Sequence, residues 1–349
     1  MTLRKLVSGM PSIPTTTSWY LSDLGEALGK QALFTRQAPQ KLKALREHAL
    51  IESAVSSNRI EGVEVEQKRI ATLVFGKPHL RDRNEEEVQG YRNALRWIHE
   101  KHAALSVSEE TVKELHRLSR GDSWDAGRYK DKAVDIIEKN KDGSQRVRFK
   151  TITPAQTPKA MKELALLFAE ADRQRKIHPA IVAAAVNLDF LCIHPFRDGN
   201  GRVSRLLFLL QSYQTGYEVG RYISLERIVE NNKERYYETL EQSSKGWHEG
   251  RHDPWPYINY LLFVLKTAYG EFEERVGRMA LPKGSKTVMI ESFIDRRVGT
   301  FRVADVQQEC PGIGVDLIRK TLKKLKAKGQ VRCLGLGSAA VWQKIVQKQ

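Results

Sequence analysis

Apolar side chains recur at steps of three and four residues over most of the first 280 positions, which is the period of an amphipathic α-helix. From Leu42, the run LKALREHALIESAVSSNRIEG follows this period and meets Gly62, a residue type common at helix ends. Residues 179–193 are almost entirely apolar and predict another helix. The pattern predicts a mainly α-helical protein.

The same period predicts helices along most of the chain up to residue 279. They are EVEQKRIATLVFG, NEEEVQGYRNALRWIHEKHAAL, SEETVKELHRLSRG, TPKAMKELALLFAEADRQR, RVSRLLFLLQSYQTG, SLERIVENNKERYYETLEQSS and DPWPYINYLLFVLKTAYGEFEERVG. Residues 1–40 differ because Pro11, Pro14 and Pro39 interrupt them. There we expect irregular chain with one short helix, LSDLGEALGKQALF.

Two short β-prone runs interrupt the helical pattern between residues 127 and 154. They flank Asn140-Lys-Asp-Gly143, a sequence typical of a turn. We therefore predict a β-hairpin. Because an isolated hairpin is only marginally stable, it must lie on the helical body.

A proline and a glycine mark residues 280–286, ALPKGSK, as a linker. Beyond it, KTVMIESFIDRR, RVADVQQEC and VDLIRKTLKKLKAKG predict three helices, and QVRCLGLGSAAVWQKIV predicts a β-hairpin. This order resembles a winged helix-turn-helix. In its third helix we expect Leu317, Ile318, Leu322 and Leu325 to face the core.

Composition narrows the class of protein. Of 349 residues, 41% are hydrophobic and 29% are charged, as in a folded globular protein of two or three domains. We find no apolar run long enough for a membrane span or a secretory signal, so we expect a cytoplasmic protein without membrane contact. Cys192, Cys310 and Cys333 are too scattered for a disulfide framework or a zinc site. The net charge of +16 favours polyanionic partners, nucleotides and nucleic acid among them.

Residues 192–207, CIHPFRDGNGRVSRLL, carry the strongest candidate chemistry. Pro195 disfavours helical backbone at His194, which leaves the imidazole at the end of a helix. Gly199 and Gly201 flank Asn200, and such a stretch can turn backbone N–H groups toward an anion at the start of the next helix. The pattern predicts a phosphate-binding loop beside a histidine base.

Charged residues complete this loop. Asp198 is a hard oxygen ligand suited to Mg²⁺, and Arg202 and Arg205 lie one turn apart on the following helix, within reach of one chain of phosphates. The set contains no nucleophile, so we expect the nucleophile to come from a second molecule. A histidine with a pKa near neutrality can accept the proton of an incoming hydroxyl.

Residues 194–205 resemble the motif of the Fic family, His-Pro-Phe-x-(Asp or Glu)-Gly-Asn-Gly-Arg-x-x-Arg, at all nine defined positions. The resemblance implies a protein adenylyltransferase, which moves AMP from ATP to a Ser, Thr or Tyr hydroxyl of a target protein. His194 would be the base and Asp198 would hold Mg²⁺ or Mn²⁺. Asn200 and the two glycines would cradle phosphate, and Arg202 and Arg205 would bind the β- and γ-phosphates.

The resemblance extends over most of residues 40–270 and implies further roles. The predicted hairpin would be a flap that aligns an extended target segment by strand addition. Tyr236 and Tyr237 are candidates for the adenosine pocket, although a helical tyrosine pair is more often packed in a core. The chain could also modify itself, since Ser144 and Thr151 lie in the flap segment.

The stretch SSNRIEG, residues 56–62, matches the pattern Ser/Thr-x-x-x-Glu-Gly/Asn of self-inhibited family members at Ser57, Glu61 and Gly62. Glu61 would pair with Arg205, the arginine that the γ-phosphate needs. Such a charge-assisted pair is worth on the order of 1.5 to 3 kcal/mol. The alternative is that Glu61 is a solvated acid at a helix end.

The basic tail favours a second type of partner. In a winged helix, Arg319, Lys320, Lys323 and Lys324 of the predicted recognition helix could contact DNA phosphates or base edges. Many winged helices bind proteins instead, and a lysine-rich face is often only solvated, so both alternatives stay open.

Together these patterns predict a helical region with an inhibitory helix at 1–105, a Fic catalytic core with a hairpin flap at 106–279 and a winged helix-turn-helix at 280–349. Two other functions stay open: removal of AMP from a modified protein, with Glu61 positioning water, and a DNA-binding regulator whose nucleotide site is a sensor. The oligomeric state, a homodimer included, is not determined by the sequence.

Overall fold

The computed structural model describes residues 1–349 except 10–11, 38, 77–78, 140–143, 280–284, 298, 311–312, 336–339 and 346–349. The chain divides into two compact units, Met1–Glu274 and Arg275–Gln349. Helices dominate the described residues, which confirms the mainly α-helical class. Within those residues, we find no helix that combines the length and the apolar character needed to cross a membrane.

Helices α1 to α12 belong wholly or mainly to the first unit. They are α1 (Thr2–Ser8), α2 (Thr15–Gln37), α3 (Pro39–Ile60), α4 (Gln67–Phe75), α5 (Arg83–Lys101), α6 (Glu109–Arg120), α7 (Thr157–Gln174), α8 (Pro179–Ile193), α9 (Asn200–Gln214), α10 (Leu225–Asn231), α11 (Lys233–Ser244) and α12 (Trp255–Met279).

Helices α8 and α9 form the centre of this unit. Every residue of α8 after Pro179 is buried, and α9 is buried from Arg202 to Tyr213. A helix that is apolar on all faces must be enclosed by others, and α8 accordingly packs against α1, α7, α9 and α11. The segment between the two helices, residues 194–199, is therefore held at a fixed place on the body.

The predicted hairpin is present. Strands β1 (Ile136–Lys139) and β2 (Gln145–Phe149) pair antiparallel, with Ile137 opposite Val147 and a register irregularity between Ile136 and Ile137. The predicted turn at 140–143 lies outside the described residues. Ile137 and Val147 are both about half exposed, so the hairpin presents apolar side chains to solvent.

The prediction of mostly irregular chain over residues 1–40 was wrong. Helix α2 extends well beyond the predicted short helix, and α1 precedes it. Tertiary contacts stabilise α1: Leu3 and Leu6 are buried, and the backbone N–H groups of Thr2 and Leu3 donate to the buried carboxylate of Asp189 at 2.6 and 2.8 Å. Contacts so distant in sequence leave no periodic signal.

The second unit contains α13 (Ser285–Arg296), α14 (Val303–Glu309) and α15 (Val315–Ala327). Strands β3 (Thr300–Arg302), β4 (Val331–Cys333) and β5 (Val341–Lys344) form an antiparallel sheet in the order β3-β5-β4. The predicted three helices and closing hairpin are present, and the three-residue strand β3 was not predicted. Ile318, Leu322 and Leu325 are buried in the core of this unit, and Leu317 packs against it.

Candidate active site

His194 stands at the end of α8 in an unusual backbone conformation. Its φ and ψ are 53° and 61°, the left-handed region, and its N–H donates to the Phe190 carbonyl at 2.9 Å. For a residue with a Cβ this conformation costs about 1–2 kcal/mol. The helix thus ends at Ile193, as Pro195 predicted, and the imidazole lines a cavity of about 410 Å³.

Buried contacts hold the loop after His194. Phe196 is fully buried and stacks on the ring of His116, with centroids 3.8 Å apart. The Asn200 side chain accepts from the Phe196 N–H at 2.9 Å and donates to the Phe196 carbonyl at 2.8 Å. The amide of Asn200 thus shapes the loop, and its contribution to an anion site comes through the backbone that it holds.

The first turn of α9 is the place where the sequence predicts an anion site, called the anion seat below. Gly199 precedes the helix with a φ of 80°, which favours glycine. A Cβ at Gly201 would lie 2.2 Å from the Glu61 Oε1 atom and 3.2 Å from the Arg205 Nη1 atom. The Glu61 carboxylate therefore lies directly against Gly201, at the helix N-terminus where an anion is favoured.

Glu61 reaches this position because α3 ends one residue before it. Gly62, with a φ of 82°, turns the chain away, and the Val63 N–H donates back to the Asn58 carbonyl at 2.9 Å. The predicted stop at Gly62 is confirmed. Glu61 Oε1 accepts from Arg205 Nη2 at 2.8 Å, with the glutamate side chain 31% exposed and the arginine side chain 6% exposed.

Ser57 completes the surroundings of Arg205. The buried Ser57 accepts from Arg205 Nε through its hydroxyl and from Nη2 through its carbonyl, both at 2.9 Å. Burial is the largest single effect on Arg205 and opposes its charge, but the Glu61 carboxylate together with Tyr91 and Tyr236 outweighs burial and raises the pKa of Arg205. The three residues of the predicted brake, Ser57, Glu61 and Gly62, are thus brought together with the second motif arginine.

Arg202 lies in a separate charge cluster. Its guanidinium is buried and pairs with Glu87 Oε2 at 2.7 Å, and it approaches Asp198 Oδ1 at 3.6 Å. Arg120 bridges the two carboxylates, at 3.0 Å from Glu87 and 2.8 Å from Asp198. Burial is the largest single effect on Asp198 and favours its protonated form, but Arg120, Arg202, the Gly199 N–H and Arg83 together keep its pKa below the ordinary value.

Buried N–H groups without a hydrogen-bond partner remain in this region of the described chain. They are Arg120 Nε, Arg202 Nε and Arg205 Nη1. Buried donors are normally paired, so these orphans fit a site that receives a further anion.

Asp198 meets the requirements of a divalent cation only in part. Its side chain is 51% exposed, and Oδ1 accepts the N–H of its own neighbour Gly199 at 2.6 Å. The described residues contain no cluster of three His, Cys, Asp or Glu side chains able to hold a metal. A single carboxylate fits Mg²⁺ when phosphates and water supply the remaining oxygens.

Burial and a neighbouring positive charge lower the pKa of His194. Burial is the main cause and the Lys130 ammonium is the second, and together they lower the pKa of His194 to about 4, against opposing effects of the Leu191 carbonyl, Glu61 and Asp198. The imidazole is therefore neutral near pH 7. A neutral imidazole can accept a proton.

Lys130 also connects the motif to the flap. Its Nζ donates to the Ile193 carbonyl at 3.1 Å and to the Thr151 hydroxyl at 2.8 Å, and burial lowers its pKa to about 8. The Thr151 hydroxyl in turn donates to the Val134 carbonyl at 2.8 Å. Thr151 is buried and fully engaged, whereas Ser144 is exposed.

The cavity at His194 brings together residues predicted from distant parts of the chain. Its lining includes Glu61, His194, Gly201, Tyr236 and Tyr237. The apolar walls come from the hairpin, α8 and α11: Ile136, Ile137, Phe149, Leu191 and Leu240. Such a cavity suits a flat aromatic ring with polar groups at one end.

The tyrosine pair combines the two roles considered for it. Tyr236 is buried among Tyr257 and Tyr260, with ring centroids 5.9 and 5.8 Å away, as core packing predicts. Tyr237 is partly exposed, its ring 5.1 Å from that of Tyr236 and below the Arg148 guanidinium. Both nevertheless line the cavity.

Sequence reasoning missed Glu87, Arg120, His116 and Lys130. Glu87 lies in an acidic run at the start of α5, and the helix dipole alone is a sufficient reason for acidic residues there. Only the fold brings these residues to the motif, so no spacing along the chain identifies them.

The predicted nucleic-acid contacts belong to the second unit. Arg319, Lys320, Lys323 and Lys324 are all exposed on α15, while Ile318, Leu322 and Leu325 are buried on its other side. The basic face is therefore available to solvent.

Known proteins resemble this chain in sequence. The protein adenylyltransferase fic-1 of Caenorhabditis elegans is 26% identical over 214 residues, covering 59% of this chain and 36% of that protein. The protein adenylyltransferase Fic of Drosophila grimshawi is 27% identical over 167 residues, covering 46% of this chain and 30% of that protein. The chain thus spans about a third of the length of these relatives.

Solved structures resemble it in fold. A Fic family protein from Desulfovibrio desulfuricans G20 has a TM-score of 0.62 at 20% identity, covering 97% of this chain and 98% of that one. A Fic domain containing signaling protein from Bacteroides thetaiotaomicron has a TM-score of 0.61 at 22% identity, covering 73% of this chain and 98% of that one. Residues 106–212 match the sequence model of the Fic/DOC family. The chain therefore contains a Fic domain, at residues 106–212.

Proposed function

We propose that this protein transfers AMP from ATP to a hydroxyl group of a protein and that Glu61 restrains the reaction. The observation that carries the proposal is the cavity at His194, because it combines a neutral histidine, apolar walls and the N-terminus of α9. The names of the sequence relatives support the same chemistry.

In the proposed reaction the adenine ring enters the apolar part of the cavity, against Tyr237 and the flap strands. The triphosphate extends toward Gly201 and Arg205. Asp198 holds Mg²⁺, which when bound offsets charge on the phosphates. Arg205 binds an outer phosphate through the guanidinium face that Glu61 otherwise occupies.

His194 accepts the proton of the incoming hydroxyl as its oxygen forms a bond to the α-phosphorus. The bond between the α-phosphorus and the bridging oxygen breaks, and pyrophosphate leaves with the electron pair. The half-exposed apolar side chains of Ile137 and Val147 support a target segment that lies along the hairpin. Among self-modification sites, Ser144 is favoured over the buried Thr151.

Glu61 acts as a brake because its carboxylate uses the same seat as the outer phosphate. The contact of Glu61 with Gly201 and its bond to Arg205 support this proposal. Removal of AMP, with Glu61 positioning water, is the alternative on the same residues.

For the second unit we propose a winged helix that contacts DNA through the exposed basic face of α15. The order of three helices and a closing hairpin supports it, as does the exposure of Arg319, Lys320, Lys323 and Lys324. If DNA binding is the main function, salt-dependent binding to duplex DNA survives His194→Ala.

The test compares wild type, Glu61→Gly and His194→Ala with α-labelled ATP and Mg²⁺, with the label located by gel and mass spectrometry. Glu64→Gly is the matched control, because Glu64 is an exposed acid three residues away. We expect label with Glu61→Gly well above wild type and above the control, and none with His194→Ala.

Absence of label from all four proteins, with ATP still bound, would contradict AMP transfer. Loss of AMP removal from a modified substrate in Glu61→Gly would instead support the reverse reaction.

A further inference from the structure

A second cavity lies at the other end of the central helices. It has a volume of about 480 Å³ and is bounded by the C-terminal end of α7, the N-terminal turns of α8, the C-terminal turns of α9 and residues 105–107. Helix α8 has 15 residues, so His194 and the cavity are separated by its length of about 20 Å. This cavity is separate from the candidate active site.

One of the residues that line this cavity carries an amide without a hydrogen-bond partner among the described residues. Gln211 of α9 lines it and is 1% exposed, and neither Oε1 nor Nε2 has a hydrogen-bond partner among the described residues. A carboxamide buried with both polar atoms unsatisfied is unusual, because nearly all buried side-chain polar atoms are paired. The nearby Gln214, by contrast, donates to the carbonyls of His102 and Leu105.

The chemistry of the walls limits what can pair with Gln211. Leu105, Phe168, Ile177 and Val182 supply apolar surface. A carboxamide offers a donor and an acceptor side by side, and its complement is an edge that carries an acceptor and a donor at the same spacing. Nucleobases have such edges, as the pairing of Gln with adenine in DNA grooves illustrates.

The rim adds a charge preference. Arg173 and Arg175 line the cavity and are exposed, and Asp172 beside them offsets one of the two charges. Arg175 has a φ of 50°, at the residue that ends α7. The rim therefore favours an anionic substituent on the ligand, such as a phosphate.

We propose that this cavity binds a nucleoside monophosphate, with the base paired to Gln211 and the phosphate at Arg173 and Arg175. Its size lies within the range of small-ligand pockets, about 300–1,000 Å³. This inference does not depend on the proposed function, because it uses neither His194 nor the anion seat at Gly201.

Calorimetric titration of the full chain with UMP, GMP and CMP tests the proposal, and AMP is omitted because the cavity at His194 is proposed to take the adenine of ATP. The variant Gln211→Met keeps the volume and removes both orphaned atoms, and Gln242→Met, on the exposed face of α11, is its control. We expect at least one of the three to bind with a Kd below about 1 mM, and Gln211→Met to weaken that binding about 5- to 150-fold. The control should leave the binding unchanged.

Two further measurements test the phosphate contact and distinguish ligand binding from a purely structural role of Gln211. Arg173→Gln with Arg175→Gln should weaken the monophosphate about tenfold or more and leave the corresponding nucleoside unaffected. The melting temperature of Gln211→Met without ligand should equal or exceed that of wild type, because the substitution removes two unpaired buried groups.

Three results would overturn the proposal. One is that none of the three monophosphates binds, and another is that Gln211→Met binds as wild type does. The third is a lower melting temperature of Gln211→Met with unchanged affinities, which would assign Gln211 to a structural role satisfied by water.

Discussion

Replacing Glu61 by glutamine removes the charge of its carboxylate and keeps the size of the side chain. In the structure this carboxylate accepts one charge-assisted hydrogen bond from Arg205 Nη2 at 2.8 Å. A hydrogen bond to a charged group contributes about 1.5–3 kcal/mol. Because the Glu61 side chain is 31% exposed, solvent screening reduces the expected value to about 1–2 kcal/mol.

In the proposed function this free energy opposes the binding of an outer phosphate at Arg205. Glu61→Gln should therefore raise the affinity for ATP by about 5- to 30-fold. AMP has no outer phosphates, so its affinity should change less than twofold. The assay is calorimetric titration with ATP and with AMP, using His194→Ala proteins so that no transfer occurs.

Glu64→Gln provides the matched control, since it removes the same charge from an exposed acid nearby. An unchanged Kd for ATP in Glu61→Gln, or an equal gain for AMP, would refute competition for the Arg205 seat. Equal gains in Glu61→Gln and Glu64→Gln would show that only net charge matters.

Three further predictions concern other parts of the first unit. Gly201→Ala places a Cβ 2.2 Å from the carboxylate oxygen of Glu61 and in the path of any phosphate there. ATP affinity should therefore fall at least about tenfold even without that carboxylate. Calorimetry that compares Glu61→Gln with the double variant Glu61→Gln, Gly201→Ala checks this. Because the pKa of His194 is lowered, its ring should stay neutral from pH 8 to about 5. An NMR titration of the His194 ring should give a midpoint near 4, and Lys130→Met should raise that midpoint because it removes a nearby positive charge. A wild-type midpoint between 6 and 7 would contradict this. Asp189→Ala leaves three buried donors unpaired and should lower the free energy of unfolding by about 3 kcal/mol, measured from urea transitions; a loss under about 1 kcal/mol would contradict it.

Periodicity predicts best the helices with a simple burial pattern: α6 buries Val112 and Leu115 at its three-residue step, and α8 buries every residue after Pro179. The stop at Gly62 and the break at His194 were predictable as well, because glycine and proline act on backbone angles locally. The predicted helix over 224–244 is two helices, α10 and α11, which meet at Asn232. A single interruption of this kind leaves the apolar period almost intact.

What the sequence could not predict depends on contacts between distant segments. Helix α1 is fixed by Asp189, which also accepts from the Trp247 indole at 2.6 Å. Glu87 meets Arg202 only because α5 packs beside α9. The motif itself was predictable because its residues are consecutive, whereas the groups that hold and neutralise it come from α3 and the turn after it, from α5 and α6, and from the loop that contains Lys130.

The position of Glu61 against Gly201 determines how the proposed inhibition would depend on the concentration of ATP. A side chain that occupies a phosphate seat from within the same chain acts as a tethered competitor, with an effective concentration set by α3 rather than by any partner. If Arg205 is free of Glu61 about 3–20% of the time, as a 5- to 30-fold effect implies, the apparent affinity for ATP falls to that fraction of its unrestrained value. Transfer would then rise steadily with ATP concentration, without an external activator.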